Sequence, residues 1–243
     1  MAAEPASSDR LLVALDVETL AEAEAWLDRL QGVVHGCKVG SQLFTAAGPG
    51  AVEAALKRGF RVFLDLKFHD IPNTVAGAVR EATRLGVFML NVHASGGRAM
   101  MRAAADAAAK ASVDFAVARP LCLGVTVLTS LDRRSLQTEV GIASSVSGHV
   151  LHLATLSREA GLDGSVASPE ESRVLRAAIG RHWIIVTPGI RPVGPSDDQK
   201  RTATAAEARA AGADYVVVGR PITAAPDPVA AASRILHDLA RAG

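Results

Sequence analysis

The side chains best placed to do chemistry fall in one decapeptide, residues 65–74, which reads Asp-Leu-Lys-Phe-His-Asp-Ile-Pro-Asn-Thr and follows the apolar run Val62, Phe63 and Leu64. In an extended strand, residues two apart share a face, so Asp65 and Lys67 are expected side by side. Pro72 cannot continue a strand ladder, which puts Asp70 and Thr74 beyond the sheet and the charges on its rim. An ammonium held among carboxylates can meet negative charge as it develops and then supply a proton. Taken alone, an Asp-x-Lys pair also fits a strand-end ion pair with a purely structural role.

These groups need a scaffold. Short apolar runs at 11–16, 35–40, 61–67, 88–94, 121–129, 164–168, 183–190 and 215–220 alternate with Ala-rich stretches at 20–30, 44–57, 74–85, 99–111, 145–160, 169–179, 203–211 and 228–240. Parallel neighbours need crossover connections, so eight strand–helix units predict an α/β fold of the (β/α)8 TIM-barrel type, with a doubly wound open sheet as the rival. Gly59, Gly86, Gly161 and Gly212 stand where left-handed C-caps would close four of the helices. Ser168, Pro169, Glu170 and Glu171 combine an N-cap, a proline at the first helical position and first-turn acids.

On such a barrel, chemistry gathers at the C-terminal ends of the strands. Asp16 is expected to end the first strand and Lys38 to lie near the end of the second, with Asp65 and Lys67 on the third and Thr129 and Ser130 at the end of the fifth. Two later segments suit a phosphate. Thr187-Pro188-Gly189-Ile190-Arg191 follows the seventh run, and Gly219-Arg220-Pro221 follows the eighth, the usual phosphate position on this fold. Glycine lets backbone amides approach an anion, and a guanidinium grips phosphate oxygens with paired hydrogen bonds. The polar stretch 192–201 reads either as a surface loop or as a lid in which Gln199 is the candidate contact. His93, in Asn91-Val92-His93-Ala94, is read as structural.

With 243 residues, about half of them apolar, the chain can bury one large core, so 11–243 is expected to form a single domain behind a flexible leader, 1–10. The formal charge of +1 gives no global reason to expect nucleic acid or a membrane as partner. No apolar run approaches the roughly 20 residues that span a bilayer. Cys37 and Cys122 lie in apolar stretches, which fits reduced, buried thiols and a cytoplasmic location.

The ordered motifs resemble those of orotidine 5'-monophosphate decarboxylases over essentially the whole chain after the leader. They are Leu15-Asp16, Lys38-Val39-Gly40, the decapeptide, residues 91–94, Val-Thr-Val-Leu-Thr-Ser at 125–130, Thr187 to Arg191, Asp-Gln-Lys-Arg at 198–201, and Val-Gly-Arg-Pro-Ile at 218–222. The resemblance implies a carboxy-lyase that converts orotidine 5'-monophosphate to UMP and carbon dioxide in pyrimidine biosynthesis, with no metal and no organic cofactor. It implies a homodimer in which Asp70, Ile71 and Thr74 reach the partner's site. Lys67 would then be the acid, in an alternating row with Lys38, Asp65 and the partner's Asp70. Asp16 and Lys38 would hold ribose hydroxyls, Ser130 the pyrimidine edge, and Arg191, Gly219 and Arg220 the phosphate, beside Thr129 and Gln199. The alternatives are a magnesium-dependent sugar-phosphate decarboxylase or aldolase on the same barrel, and a non-catalytic sensor of phosphorylated ligands.

Overall fold

A computed structural model describes residues 7–191 and 203–242. Eight parallel strands, β1 (Leu11–Ala14), β2 (Gly36–Gly40), β3 (Arg61–Phe68), β4 (Met89–His93), β5 (Leu121–Val125), β6 (Gly164–Val166), β7 (Ile184–Thr187) and β8 (Tyr215–Val218), pair in sequence order. Closure comes from β8 pairing back on β1, Val218 opposite Val13. A strand hydrogen-bonded on both sides at every position leaves no edge, which rules out the open doubly wound sheet. The molecule is a (β/α)8 barrel.

Eleven helices are described: α1 (Leu20–Leu30), α2 (Ser41–Ala47), α3 (Pro49–Lys57), α4 (Pro72–Arg84), α5 (Gly97–Asp114), α6 (Arg133–Thr138), α7 (Val146–Glu159), α8 (Pro169–Ile179), α9 (Ala205–Ala210), α10 (Arg220–Thr223) and α11 (Pro228–Arg241). Local chemistry sets their ends. Thr19 and Glu22 form a reciprocal capping box before α1, and the Glu171 carboxylate accepts the Ser168 N–H at 2.8 Å at the start of α8. Gly59, Gly86, Gly161 and Gly212 all adopt positive φ, as expected of residues that close helices.

Three sequence expectations need correction. The helix predicted over 44–57 is two helices, because Gly48 turns at φ 57° and Pro49 opens a new one. The first and fifth strands stop earlier than predicted, at Ala14 and Val125, so Asp16, Thr129 and Ser130 sit on the loops above them. The short helices α6 and α10 lie in stretches predicted as connections. Of the leader expected over 1–10, residues 1–6 lie outside the described residues. Its far end is tied down, since the Asp9 carboxylate pairs with Arg61 at 3.1 Å and Arg10 is buried.

Inward-facing Leu12, Phe63, Met89, Leu123, Val186 and Tyr215 fill the barrel lumen, while a second and larger core lies between the strands and the helices. The lumen is therefore a packed plug, and only its C-terminal mouth is open to a ligand. At the opposite end, the Asp214 carboxylate accepts Arg176 Nη2 and the Ile185 N–H, each at 2.8 Å, and Arg176 also donates to the carbonyls of Gly180 and Trp183. This clamp joins α8, β7 and the turn before β8. Asp214→Ala leaves a largely buried guanidinium without its counter-ion and is expected to lower stability by about 3 kcal/mol. Urea unfolding of the two chains measures the difference; equal midpoints and slopes would show that the clamp contributes nothing.

Candidate active site

The strand C-termini surround a cavity of about 470 Å³, within the range usual for small-molecule sites. Its floor is charged. Lys38, expected near the end of β2, projects from its middle, and its Nζ lies 2.8 Å from Asp16 Oδ1 and 3.7 Å from Asp65 Oδ2. The other Asp65 oxygen accepts Lys67 Nζ at 2.6 Å. Asp16, Lys38, Asp65 and Lys67 thus form one continuous row in which acid and base alternate.

The row depends on two local departures from regular structure. At Gly40 a Cβ would lie 2.7 Å from Lys38 Nζ and 3.3 Å from Asp16 Oδ1, so the ammonium occupies the space a side chain would fill. On β3 the expected regular alternation does not hold. The register with β4 runs from Leu64 opposite Leu90 to Phe68 opposite Val92, so Asp65, Leu66 and Lys67 stand against Asn91 alone. Lys67 takes φ +51°, a left-handed conformation that costs a residue with a Cβ about 1–2 kcal/mol. Asp65 and Lys67 do meet, but through a bulge.

Asn91 bridges that bulge. Its Oδ1 accepts the Lys67 backbone N–H at 2.8 Å, and its Nδ2 donates to Asp65 Oδ1 at 2.7 Å. Burial pushes the Asp65 carboxyl up, but the Lys38 and Lys67 charges, with hydrogen bonds from Lys67 and Asn91, outweigh it and hold the group below the ordinary carboxylate range. The stability this contributes is present above the unfolded carboxylate pKa and is lost as pH falls through the depressed value. His93 is held down by burial first, then by His69 and Lys67 nearby, and so favours the neutral imidazole.

The rest of the lining includes Thr129, Arg191, Gly219 and Arg220, with Gly219 next to the charged row, since a Cβ there would lie 4.0 Å from Asp16 Oδ2. Gly219 is the N-cap of α10, and the apolar part of the lining includes Val125, Val127 and Val166. Asp70, Ile71 and Thr74, at the start of α4, are exposed and do not line this cavity; Ile71 is 67% exposed. Ser130 is exposed on the loop after β5 and is also not part of the lining. Gln199 and the stretch 192–201 lie outside the described residues. Asn91 and Thr223 are site residues that sequence reasoning passed over. The available signal for Asn91 is a polar amide inside an apolar strand.

Residues 9–235 match the family model described as Orotidine 5'-phosphate decarboxylase / HUMPS family. The orotidine 5'-phosphate decarboxylase of Moorella thermoacetica is 56% identical over 96% of this chain and 93% of its own length, and that of Syntrophotalea carbinolica is 54% identical over 96% of each. The crystal structure of orotidine 5'-phosphate decarboxylase from Lactobacillus acidophilus superposes with a TM-score of 0.85 at 36% identity, covering 95% of this chain and 99% of that one. With a match that runs from the last residue of the 3-10 turn before β1 into the final helix, the chain belongs to the orotidine 5'-phosphate decarboxylase / HUMPS family.

Proposed function

We propose that the chain decarboxylates orotidine 5'-monophosphate to UMP. The observation that carries this reading is the charged row Asp16, Lys38, Asp65, Lys67 in a cavity whose lining also presents Arg191, Gly219 and Arg220. The bond between C6 and the carboxylate breaks, and carbon dioxide leaves without the electron pair. That pair lies in the ring plane, orthogonal to the π system, so charge must be met from outside the ring. The Lys67 ammonium does so and then gives a proton to C6, and solvent restores the proton to the amine. Asp65, ionised in its depressed state, faces the substrate carboxylate with a like charge that disappears as neutral carbon dioxide departs.

At the other end of the substrate, Arg220 and Arg191 take the phosphate, with the Gly219 backbone beside them. Asp16 and Lys38 hold ribose hydroxyls, and Thr129 faces the base. Binding energy from the phosphate, remote from C6, supports the chemical step as well as affinity. Asp70, Ile71 and Thr74 belong to a second copy's site in a homodimer. Their exposure at the start of α4, away from their own cavity, supports this, as does the Asp70 carboxylate turned back to accept the adjacent Ile71 N–H at 2.6 Å.

The reading also places the chain in the cytosol. It is supported by two unpaired thiols that burial pushes up to about 12 and by the absence, among the described residues, of any helix long and apolar enough to cross a membrane.

The test is the loss of orotidylate absorbance with metal-stripped protein in excess chelator. Full activity is expected, because Lys38 Nζ already neutralises the carboxylates that a divalent ion would need. Stable orotidylate together with turnover of a sugar phosphate only on adding magnesium would favour a sugar-phosphate decarboxylase or aldolase. Nucleotide binding without turnover under any condition would favour a sensor.

A further inference from the structure

We infer that Asn91 is a positioning residue for this reaction, its one amide fixing both the Asp65 carboxylate and the Lys67 backbone so that the lysine ammonium is aimed into the cavity. The inference rests on the decarboxylase reading above and concerns a residue that does not itself line the cavity. Lysine carries its charge on a flexible stem, so its aim depends on where its backbone sits and where its counter-ion is held. Here the same side chain sets both. Asn91 is completely buried on β4, in the stretch where β3 runs three residues against one. Its carbonyl oxygen takes the N–H of a residue in left-handed conformation, and its amide nitrogen gives a hydrogen bond to the very Asp65 oxygen that receives Lys67 Nζ.

The chemistry of that position is narrow. It requires an acceptor and a donor on one planar group, at the reach of a single methylene. Leucine offers the shape and neither bond. An ionised aspartate offers the acceptor and sets a second negative charge against Asp65, whereas a protonated aspartate restores the donor. Two carboxyls in such contact share a proton, and the shared titration is raised above that of a lone acid. The aspartate variant should therefore carry a pH signature that a residue serving only to support the fold does not produce.

The experiment compares the unmodified chain, Asn91→Leu and Asn91→Asp on orotidine 5'-monophosphate, with UMP affinity measured alongside. No turnover by the unmodified chain removes the decarboxylase reading itself. Given turnover, Asn91→Leu is expected to lose about 10²-fold in kcat, the scale of a roughly 1 Å misplacement, with UMP affinity nearly unchanged. Asn91→Asp is expected to approach the unmodified kcat at the acid end of the range and to fall away as pH rises through the shared titration. The inference is overturned if Asn91→Leu keeps its kcat, or if the Asn91→Asp profile runs parallel to that of the unmodified chain. Should the leucine chain fail to fold, the isosteric aspartate chain decides the matter through its profile alone.

Discussion

A chain carrying Lys67→Ala is expected to bind UMP and yet to lose decarboxylation by roughly 10⁴-fold or more, taking about 10² for the missing proton donor and about 10² for the missing charge at C6. The expectation of retained binding comes from the geometry of what remains. Asp65 keeps Lys38 at 3.7 Å and the Asn91 amide at 2.7 Å, so its charge is not left alone, and the arginines that line the cavity are untouched. Alanine at φ +51° is no worse placed than lysine. Single-turnover release of carbon dioxide and calorimetric titration with UMP separate the two effects. A loss shared equally between kcat and UMP affinity would mean that Lys67 serves ground-state binding, and a loss below tenfold would mean that another group is the acid.

The second large effect is a recovery. Asp70→Ala alone is expected to be nearly as inactive as Lys67→Ala if each site draws Lys67 from one protomer and Asp70 from the other. Mixing the two inactive chains with subunit exchange should then restore about a quarter of normal activity, because half of the dimers are hybrids and each hybrid has one intact site of two. Native mass spectrometry establishes that hybrids form. Hybrids without activity would confine the chemistry to a single chain, and the exposed position of Asp70 and Ile71 would need another explanation.

The order of strands and helices was legible because hydrophobic runs and end signals agreed. Helices 20–30 and 169–179 were placed to the residue, the first marked by a reciprocal cap and the second by the Glu171 carboxylate accepting the Ser168 N–H. Strand ends were legible for the second strand, which stops at Gly40, but not for the first and fifth. The apolar run 121–129 continues after β5 has run out of ladder partners, so composition alone carried it too far. Arg133–Thr138 was missed because its sequence, Arg-Arg-Ser-Leu-Gln-Thr, shows no apolar stripe; the helix is started by the Asp132 carboxylate accepting the Ser135 N–H.

Within the site, the charged residues could be listed from the sequence, but the means of holding them could not. Asp65 and Lys67 have the spacing of a regular strand, and that spacing conceals the bulge between them. Asn91 sits in a strand with the same periodicity it would have as a buried bystander. Its partners belong to a neighbouring strand, and no local pattern reveals which groups a closed barrel brings opposite one another.

Gly40 bears on how relatives of this chain are judged. The room for the Lys38 ammonium is an absence, a methyl group that is not there, and the atom a methyl would displace is the free end of a flexible side chain. A descendant with alanine at this position would keep every charged residue and fold without complaint, yet its lysine would be turned out of place. A checklist of acids and bases would pass such a chain as competent, so inheritance of the activity has to be traced through a vacancy as well as through the groups around it.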